Sequence, residues 1–174
     1  MLKLLLPRRS AHILHDEWEK IRQWSKTKQE AETAIIRQWE EAVAAHACVP
    51  YAAAVNSGRA GMTQILKHLG ITSGDEVIVP AYTLKDLIPL IQQLGATVVP
   101  ADVDYATLNV TGDSIAQKIT SKTKAVVVLH AFGAPAPMPD ILEHTDKAGI
   151  PIIEDCAHAL GATLKGKQVG SFGY

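Results

Sequence analysis

The sequence predicts an α/β protein whose three layers are a mainly parallel sheet and helices on both of its faces. Two observations support this fold class. From Tyr51 onward, short apolar segments alternate with helical stretches, the order that builds a parallel sheet between two helical layers. In addition, residues 126–129 are apolar at every position, which indicates a strand buried on both faces.

The alternating pattern sets the expected elements. Strands are predicted at residues 52–56, 76–80, 97–101, 125–130 and 150–155, and helices at 60–69, 84–94, 112–119 and 138–148. Gly70, Gly95 and Gly149 follow three of these helices, where a left-handed cap requires a residue without a side chain. Lys165 and Lys167 flank Gly166 in a predicted hairpin turn.

The amino-terminal part is predicted to be helical. Residues 10–47 contain no glycine or proline and are rich in Glu, Lys, Gln and Ala, which favours one or two helices. Helical spacing places Ile35, Trp39 and Val43 on a face expected to meet a core. Since Pro50 ends this segment, we divide the chain into a helical segment at 1–50 and an α/β domain at 51–174.

Composition excludes several classes of function. The chain has 174 residues, 47% of them hydrophobic, and a formal net charge of -1, so no basic surface predicts binding of nucleic acid. No apolar run approaches the length of a membrane span. Two cysteines, Cys48 and Cys156, make neither a disulfide framework nor a zinc motif. We expect a cytoplasmic protein that binds no metal.

A possible phosphate site lies at residues 57–60, where a predicted strand runs into a helix. Free amides and the positive end of the helix dipole suit an anion there; Gly58 permits close approach of the backbone, and Ser57 adds a hydroxyl. The alternative is ordinary helix capping by Asn56 or Ser57. Neither the nucleotide P-loop nor the dinucleotide GxGxxG pattern is present.

A carboxylate is predicted at the other end of such a site. Asp155 ends an apolar strand at the carboxyl edge of the sheet, where open α/β folds bind ligands, and it could pair with a protonated ring nitrogen. Capping of the next turn is the alternative. His158, three residues on, could bond a ring hydroxyl or simply pack. Glu154 points to the opposite face and is interpreted as structural. His130, at the end of its own strand, has the same two interpretations as His158.

Read in series, five segments resemble the DegT-type sugar aminotransferases, which use pyridoxal 5'-phosphate on the fold-type I aminotransferase scaffold. The matching segments are 51–60 (YAAAVNSGRA), 74–83 (GDEVIVPAYT), 95–104 (GATVVPADVD), 123–133 (TKAVVVLHAFG) and 152–161 (IIEDCAHALG). The resemblance runs from about Trp39 to the end. It implies that residues 51–174 are part of the large, cofactor-binding domain of that scaffold.

The resemblance also implies roles for residues. Backbone amides of Gly58, Arg59 and Ala60 would bind the cofactor phosphate, Asp155 would pair with the pyridine nitrogen, and His158 would lie beside the ring hydroxyl. The family transfers an amino group from glutamate to a nucleotide-linked keto sugar, which implies nucleotide-sugar metabolism and polysaccharide biosynthesis, and its members are homodimers.

Three departures from the family pattern affect these expectations. Arg59 replaces the usual threonine, and Leu84 occupies the position of the aromatic residue that stacks on the cofactor. The Schiff-base lysine is expected beyond Gly173, so none of the 174 residues is assigned a catalytic role, and neither Lys165 nor Lys167 is assigned to it. We therefore expect the chain alone to be inactive as a transaminase. The alternative is a catalytically inert truncated fragment, or a partner-binding remnant of the fold.

Overall fold

The computed structural model describes residues 15–24 and 32–173. The chain divides into two units, Met1–Arg37 and Gln38–Tyr174. Helix α1 (His15–Trp24) lies in the first unit, and helix α2 (Glu32–Ala47) begins there. Residues 1–14 and 25–31 of the predicted helical segment lie outside the described residues, and its boundary at residue 50 stays a prediction. Among the described helices, none is both long and apolar enough to cross a membrane.

The second unit alternates helices and strands in the predicted order. Its helices are α3 (Gly58–His68), α4 (Leu87–Gln93), α5 (Gly112–Ala116) and α6 (Met138–Ala148). Its strands are β1 (Glu76–Pro80), β2 (Thr97–Ala101), β3 (Thr123–Leu129) and β4 (Ile152–Asp155), followed by the short strands β5 (Thr163–Leu164) and β6 (Lys167–Gln168). A short 3-10 turn, Ala131–Gly133, follows β3.

Four strands form one parallel sheet in the order β2-β1-β3-β4. The chain moves from β1 to β2 in one direction and then across β1 to β3 and β4 in the other. Because parallel crossovers are right-handed, this reversal sends α4 to one face and α5 and α6 to the other. The connections that follow β1 and β3 therefore leave the sheet toward opposite faces. The crevice between them, at the carboxyl ends of these strands, is where such sheets bind ligands.

Alternate residues of each strand face two separate cores, as the period of a strand requires. One cluster packs Ile78, Val126 and Ile152 against Ile115 of α5 and Ile141 of α6. The other packs residues of the opposite strand face against α3 and α4, among them Val77, Val127, Ile153, Leu66 and Ile91. The predicted α/β class with helices on both faces is confirmed.

Several local predictions are also confirmed. Gly70, Gly95 and Gly149 have φ values of 68°, 82° and 65°, the left-handed conformation expected after a helix. Lys165 and Gly166 form the turn of the β5–β6 hairpin, with φ values of 51° and 81°. Positive φ at both central residues is typical of the tight turn that matches strand twist.

Three predictions of local structure are wrong. Residues 52–56 are not a strand: residues 53–56 are exposed, and no strand of the described chain pairs with the segment. The helix expected at 84–94 begins only at Leu87, because a start at residue 84 would place Pro89 beyond the first turn, where its missing N–H breaks a helix bond. On α2, Trp39 is 57% exposed, and Ala44 is the buried position.

Candidate functional site

A cavity of about 470 Å³ opens at the carboxyl end of the sheet. Three parts of the chain meet there: the start of α3, the connection from β1 to α4, and the end of β4. Four of the six predicted site residues line this cavity, namely Gly58, Arg59, Leu84 and Asp155. The other wall residues are Ser57, Gly61, Met62, Ile65, Asp86, Leu87, Leu90, Ile153, Glu154, Cys156 and Ala157.

A larger cavity of about 560 Å³ lies between α3 and β4. Gln64, Ile65, Leu69 and Pro151 are among its lining residues, and none of the predicted site residues reaches it. Its wall is mostly apolar and contains no carboxylate. The smaller cavity is therefore the candidate site, because it combines free polar groups with an apolar wall.

The first turn of α3 forms one end of the candidate site. Ser57 caps the helix, and its Oγ accepts a hydrogen bond from the amide of Ala60 at 3.2 Å. Within residues 15–24 and 32–173, no protein group accepts from the amides of Gly58 and Arg59. The capping alternative is therefore correct for Ser57, and two unpaired amides at the positive end of the helix remain beside the cavity.

Arg59 and Asp86 form an ion pair on the cavity wall. Arg59 Nη1 lies 2.8 Å from Asp86 Oδ2, and the two side chains are 63% and 37% exposed. Such an exposed pair adds little stability, at most about 1 kcal/mol. Its consequence is geometric, since it joins the start of α3 to the start of α4. No sequence pattern indicated this contact, because its two residues are 27 positions apart.

Asp155 lines the same cavity from the last position of β4. Its Oδ1 accepts a hydrogen bond from the amide of Ala157 at 3.0 Å, which fixes the orientation of the carboxylate. The described part of the chain provides no partner for Oδ2. One oxygen of Asp155 thus caps the following turn, and the other is free to face a ligand. Leu84, which is 61% exposed, also lines this cavity.

His158 is exposed and does not line the cavity. Its imidazole stacks on the ring of Phe132, with centroids 5.6 Å apart and planes inclined by 18°. Phe132 in turn lies 6.0 Å from the ring of Tyr82. No sequence pattern singles out Phe132, because the three-residue 3-10 turn that contains it has no periodicity.

Glu154 accepts four hydrogen bonds and is only 4% exposed. Its donors are the amides of Gly170, Phe172 and Gly173, at 2.8, 2.7 and 2.6 Å, and Nε2 of buried His130 at 3.1 Å. Burial acts to raise the pKa of Glu154, but these hydrogen bonds outweigh it and hold the pKa below its ordinary value. The expected structural role of Glu154 is supported by these contacts.

His130, Glu154 and Cys156 bring potential metal ligands within 4.8 Å of one another. Hydrogen bonds already occupy this group: His130 Nδ1 accepts from the amide of Ala136 at 3.0 Å, so Nε2 carries the proton that it shares with Glu154. Burial, with the charges of Glu154 and Asp155, raises the pKa of Cys156 to about 12. A neutral thiol and a saturated carboxylate are poor ligands, so we interpret the group as structural.

Comparison with known proteins shows which family this chain resembles. Residues 12–174 match the model of the DegT/DnrJ/EryC1/StrS aminotransferase family. The GDP-perosamine synthase of Escherichia coli O157:H7 is 41% identical over 138 residues, which make up 79% of this chain and 38% of that protein.

Two solved structures are similar as well. An aminotransferase from Psychrobacter cryohalolentis has a TM-score of 0.81 and 39% identity over 91% of this chain and 40% of its own. A Streptococcus pneumoniae protein assigned as a sugar aminotransferase, solved in PLP and PMP forms, has a TM-score of 0.85 and 27% identity over 93% of this chain and 45% of its own. The chain spans less than half the length of each of these relatives.

Proposed function

Because the chain belongs to the DegT/DnrJ/EryC1/StrS aminotransferase family, we propose that its second unit holds pyridoxal 5'-phosphate in the cavity at the carboxyl end of the sheet. The observation that carries this proposal is that the unpaired amides of α3 and the unpaired oxygen of Asp155 line one cavity. Its volume of about 470 Å³ lies within the range of small-molecule sites.

The start of α3 fits the phosphate. Gly58 and Arg59 would donate their amide N–H groups, and the helix dipole would favour the negative charge. Gly58 has no atom within 4 Å of the place where a Cβ would be, so a ligand can approach its backbone closely. Ala60 would contribute indirectly: the Ser57 hydroxyl accepts from the Ala60 amide and can donate its own proton to the phosphate.

The end of β4 fits the ring. Asp155 Oδ2 is free to accept a proton-bearing ring nitrogen, and its negative charge would keep that nitrogen protonated. Leu84 and Ile153 offer apolar surface for the ring faces. His158 lies outside the cavity wall, and we propose that its imidazole reaches the ring hydroxyl at the margin of the site.

When bound, the cofactor supplies the electron sink that amino transfer requires. We propose that the protein containing these residues transfers an amino group from glutamate to a nucleotide-linked keto sugar, and that it acts as a homodimer. The sugar aminotransferases among its relatives support the sugar substrate.

Titration calorimetry with pyridoxal 5'-phosphate tests the proposed site directly. The protein should bind the cofactor, and Asp155→Asn should weaken binding about ten- to hundredfold, because a hydrogen bond to a charged group is lost. Asp146→Asn is the matched control, since Asp146 is exposed on α6. Pyridoxal without its phosphate should bind more weakly than the phosphate ester to the unchanged protein.

Two results would reject the proposal. One is the absence of binding by the unchanged protein, which would favour the inert, partner-binding remnant. The other is equal affinity of the Asp155→Asn and Asp146→Asn variants. The proposed reaction has its own assay, in which glutamate-dependent amino transfer to a nucleotide-linked keto sugar is measured with the protein at its natural length.

A further inference from the structure

Three rings meet at the carboxyl edge of the sheet, where Leu84 and Ala157, near two of them in sequence, line the candidate cavity. Tyr82, Phe132 and His158 come from the connections that follow β1, β3 and β4. The ring of Phe132 lies 6.0 Å from that of Tyr82 and 5.6 Å from the imidazole of His158, with which it is nearly parallel. Phe132 is nevertheless 56% exposed, so burial of its ring does not account for this position.

The backbone of Phe132 is in an unfavourable conformation. Its φ of 51° lies in the left-handed region, which a residue with a Cβ rarely occupies. Strain of this kind persists only when the surroundings fix it, and it concentrates at functional positions. The surroundings of Phe132 do fix it, as the contacts on both sides of the residue show.

Two buried side chains hold the segment that contains Phe132. Asn109, 2% exposed, accepts from the amide of Ala131 through Oδ1 and donates to the carbonyl of Ala134 through Nδ2, both at 2.9 Å. His130 accepts from the amide of Ala136 at 3.0 Å. These bonds hold the backbone on both sides of Phe132.

His158, by contrast, has no hydrogen bond from its imidazole to the described chain. The Phe132 ring lies 5.6 Å from the imidazole and only 18° from parallel to it, so it is an aromatic neighbour against which the imidazole can be oriented. We propose that Phe132 is a positioning residue for His158, which it holds in the orientation required to donate to or accept from the ring hydroxyl of the cofactor. This inference rests on the proposed function.

The first test observes the stack without any cofactor. The imidazole C–H resonances of His158, assigned by their loss in His158→Gln, should be shifted upfield by the ring current of Phe132. Phe132→Leu should remove this shift, and Phe132→Tyr should retain it. Unchanged circular dichroism would show that the variants are folded. A His158 resonance that is the same in the Leu variant and in the unchanged protein would overturn the proposal.

The second test measures cofactor affinity by calorimetry. Phe132→Leu should weaken binding of pyridoxal 5'-phosphate about two- to tenfold, the range for loss of one aromatic pair, and Phe132→Tyr should restore it. In a His158→Ala background, Phe132→Leu should have no further effect, because the two residues act as a unit. A purely structural role of Phe132 would give the same loss in both backgrounds and would overturn the proposal.

The tests separate this inference from the proposed function. If the unchanged protein does not bind the cofactor, the proposed function fails and the positioning role fails with it, whatever the resonances show. If the unchanged protein binds and Phe132→Leu binds equally well, only the positioning role is overturned.

Discussion

Replacement of Glu154 by glutamine is expected to destabilise the protein strongly, although it changes a single atom. The carboxylate accepts from three backbone amides of residues 170–173 and from His130. Glutamine offers one carbonyl oxygen and one NH₂ group. The glutamine oxygen can replace only one of the two carboxylate oxygens. Its NH₂ group then takes the place of the other oxygen, where it meets two donors and cannot accept from them.

The magnitude follows from the number of donors. Oε1 serves two of the four donors and Oε2 the other two, so either orientation of the amide leaves two buried donors unpaired. Each unsatisfied buried group costs about 1–3 kcal/mol. We therefore expect the free energy of unfolding to fall by about 3 kcal/mol, a large share of the total stability of a domain.

Chemical denaturation followed by circular dichroism measures this loss, and hydrogen exchange locates it. The amides of Gly170, Phe172 and Gly173 should exchange faster in Glu154→Gln. Glu143→Gln is the matched control, because Glu143 is exposed and pairs only with Lys147 within the described residues. If the denaturation curves of the two glutamine variants coincide, the four hydrogen bonds do not stabilise the fold as argued.

Three further predictions follow from the same region and from α5. The pKa of Glu154 is lower in the folded protein than its ordinary value. The carboxylate should therefore stabilise the fold fully above the ordinary pKa, and this stabilisation should be lost as the pH falls through the lowered pKa. Urea titrations at several pH values should show a smaller loss in Glu154→Gln. Cys156, with its pKa raised to about 12, should resist iodoacetamide in the native protein while exposed Cys48 reacts, as mass spectrometry can show. Gly112→Ala should cost about 2 kcal/mol in thermal melts, because its Cβ would lie 2.6 Å from a backbone oxygen of α6, whereas Gly58→Ala should cost less.

The predicted strands that the structure confirms are those that pair with another strand of the sheet. Residues 76–80 and 97–101 match β1 and β2 at both ends, since these apolar segments pack between helices. Residues 52–56 are also mostly apolar, but residues 53–56 remain exposed and the segment forms no strand. The difference depends on long-range pairing, which local composition does not contain.

The lining of the candidate cavity was predictable where one residue or a short segment determines the local structure. A serine before a glycine at a helix start and an acid at the end of a buried strand identified Ser57, Gly58 and Asp155 from the sequence. The contacts of Asp86 and Phe132 were not predictable, because each depends on a partner far away in the sequence. Such contacts become visible only when the sheet has brought the carboxyl ends of its strands together.

Two adjacent acids of β4 serve different purposes because a strand alternates its faces. Glu154 shares the face of Ile152 and binds residues 170–173, whereas Asp155 shares the face of Ile153 and reaches the cavity beside α3. The first acid is saturated with donors, and the second keeps one oxygen free. Since the same backbone positions both, loosening of residues 170–173 should also displace Asp155. Glu154→Gln is therefore expected to weaken cofactor binding, even though its own carboxylate has no oxygen left for a ligand.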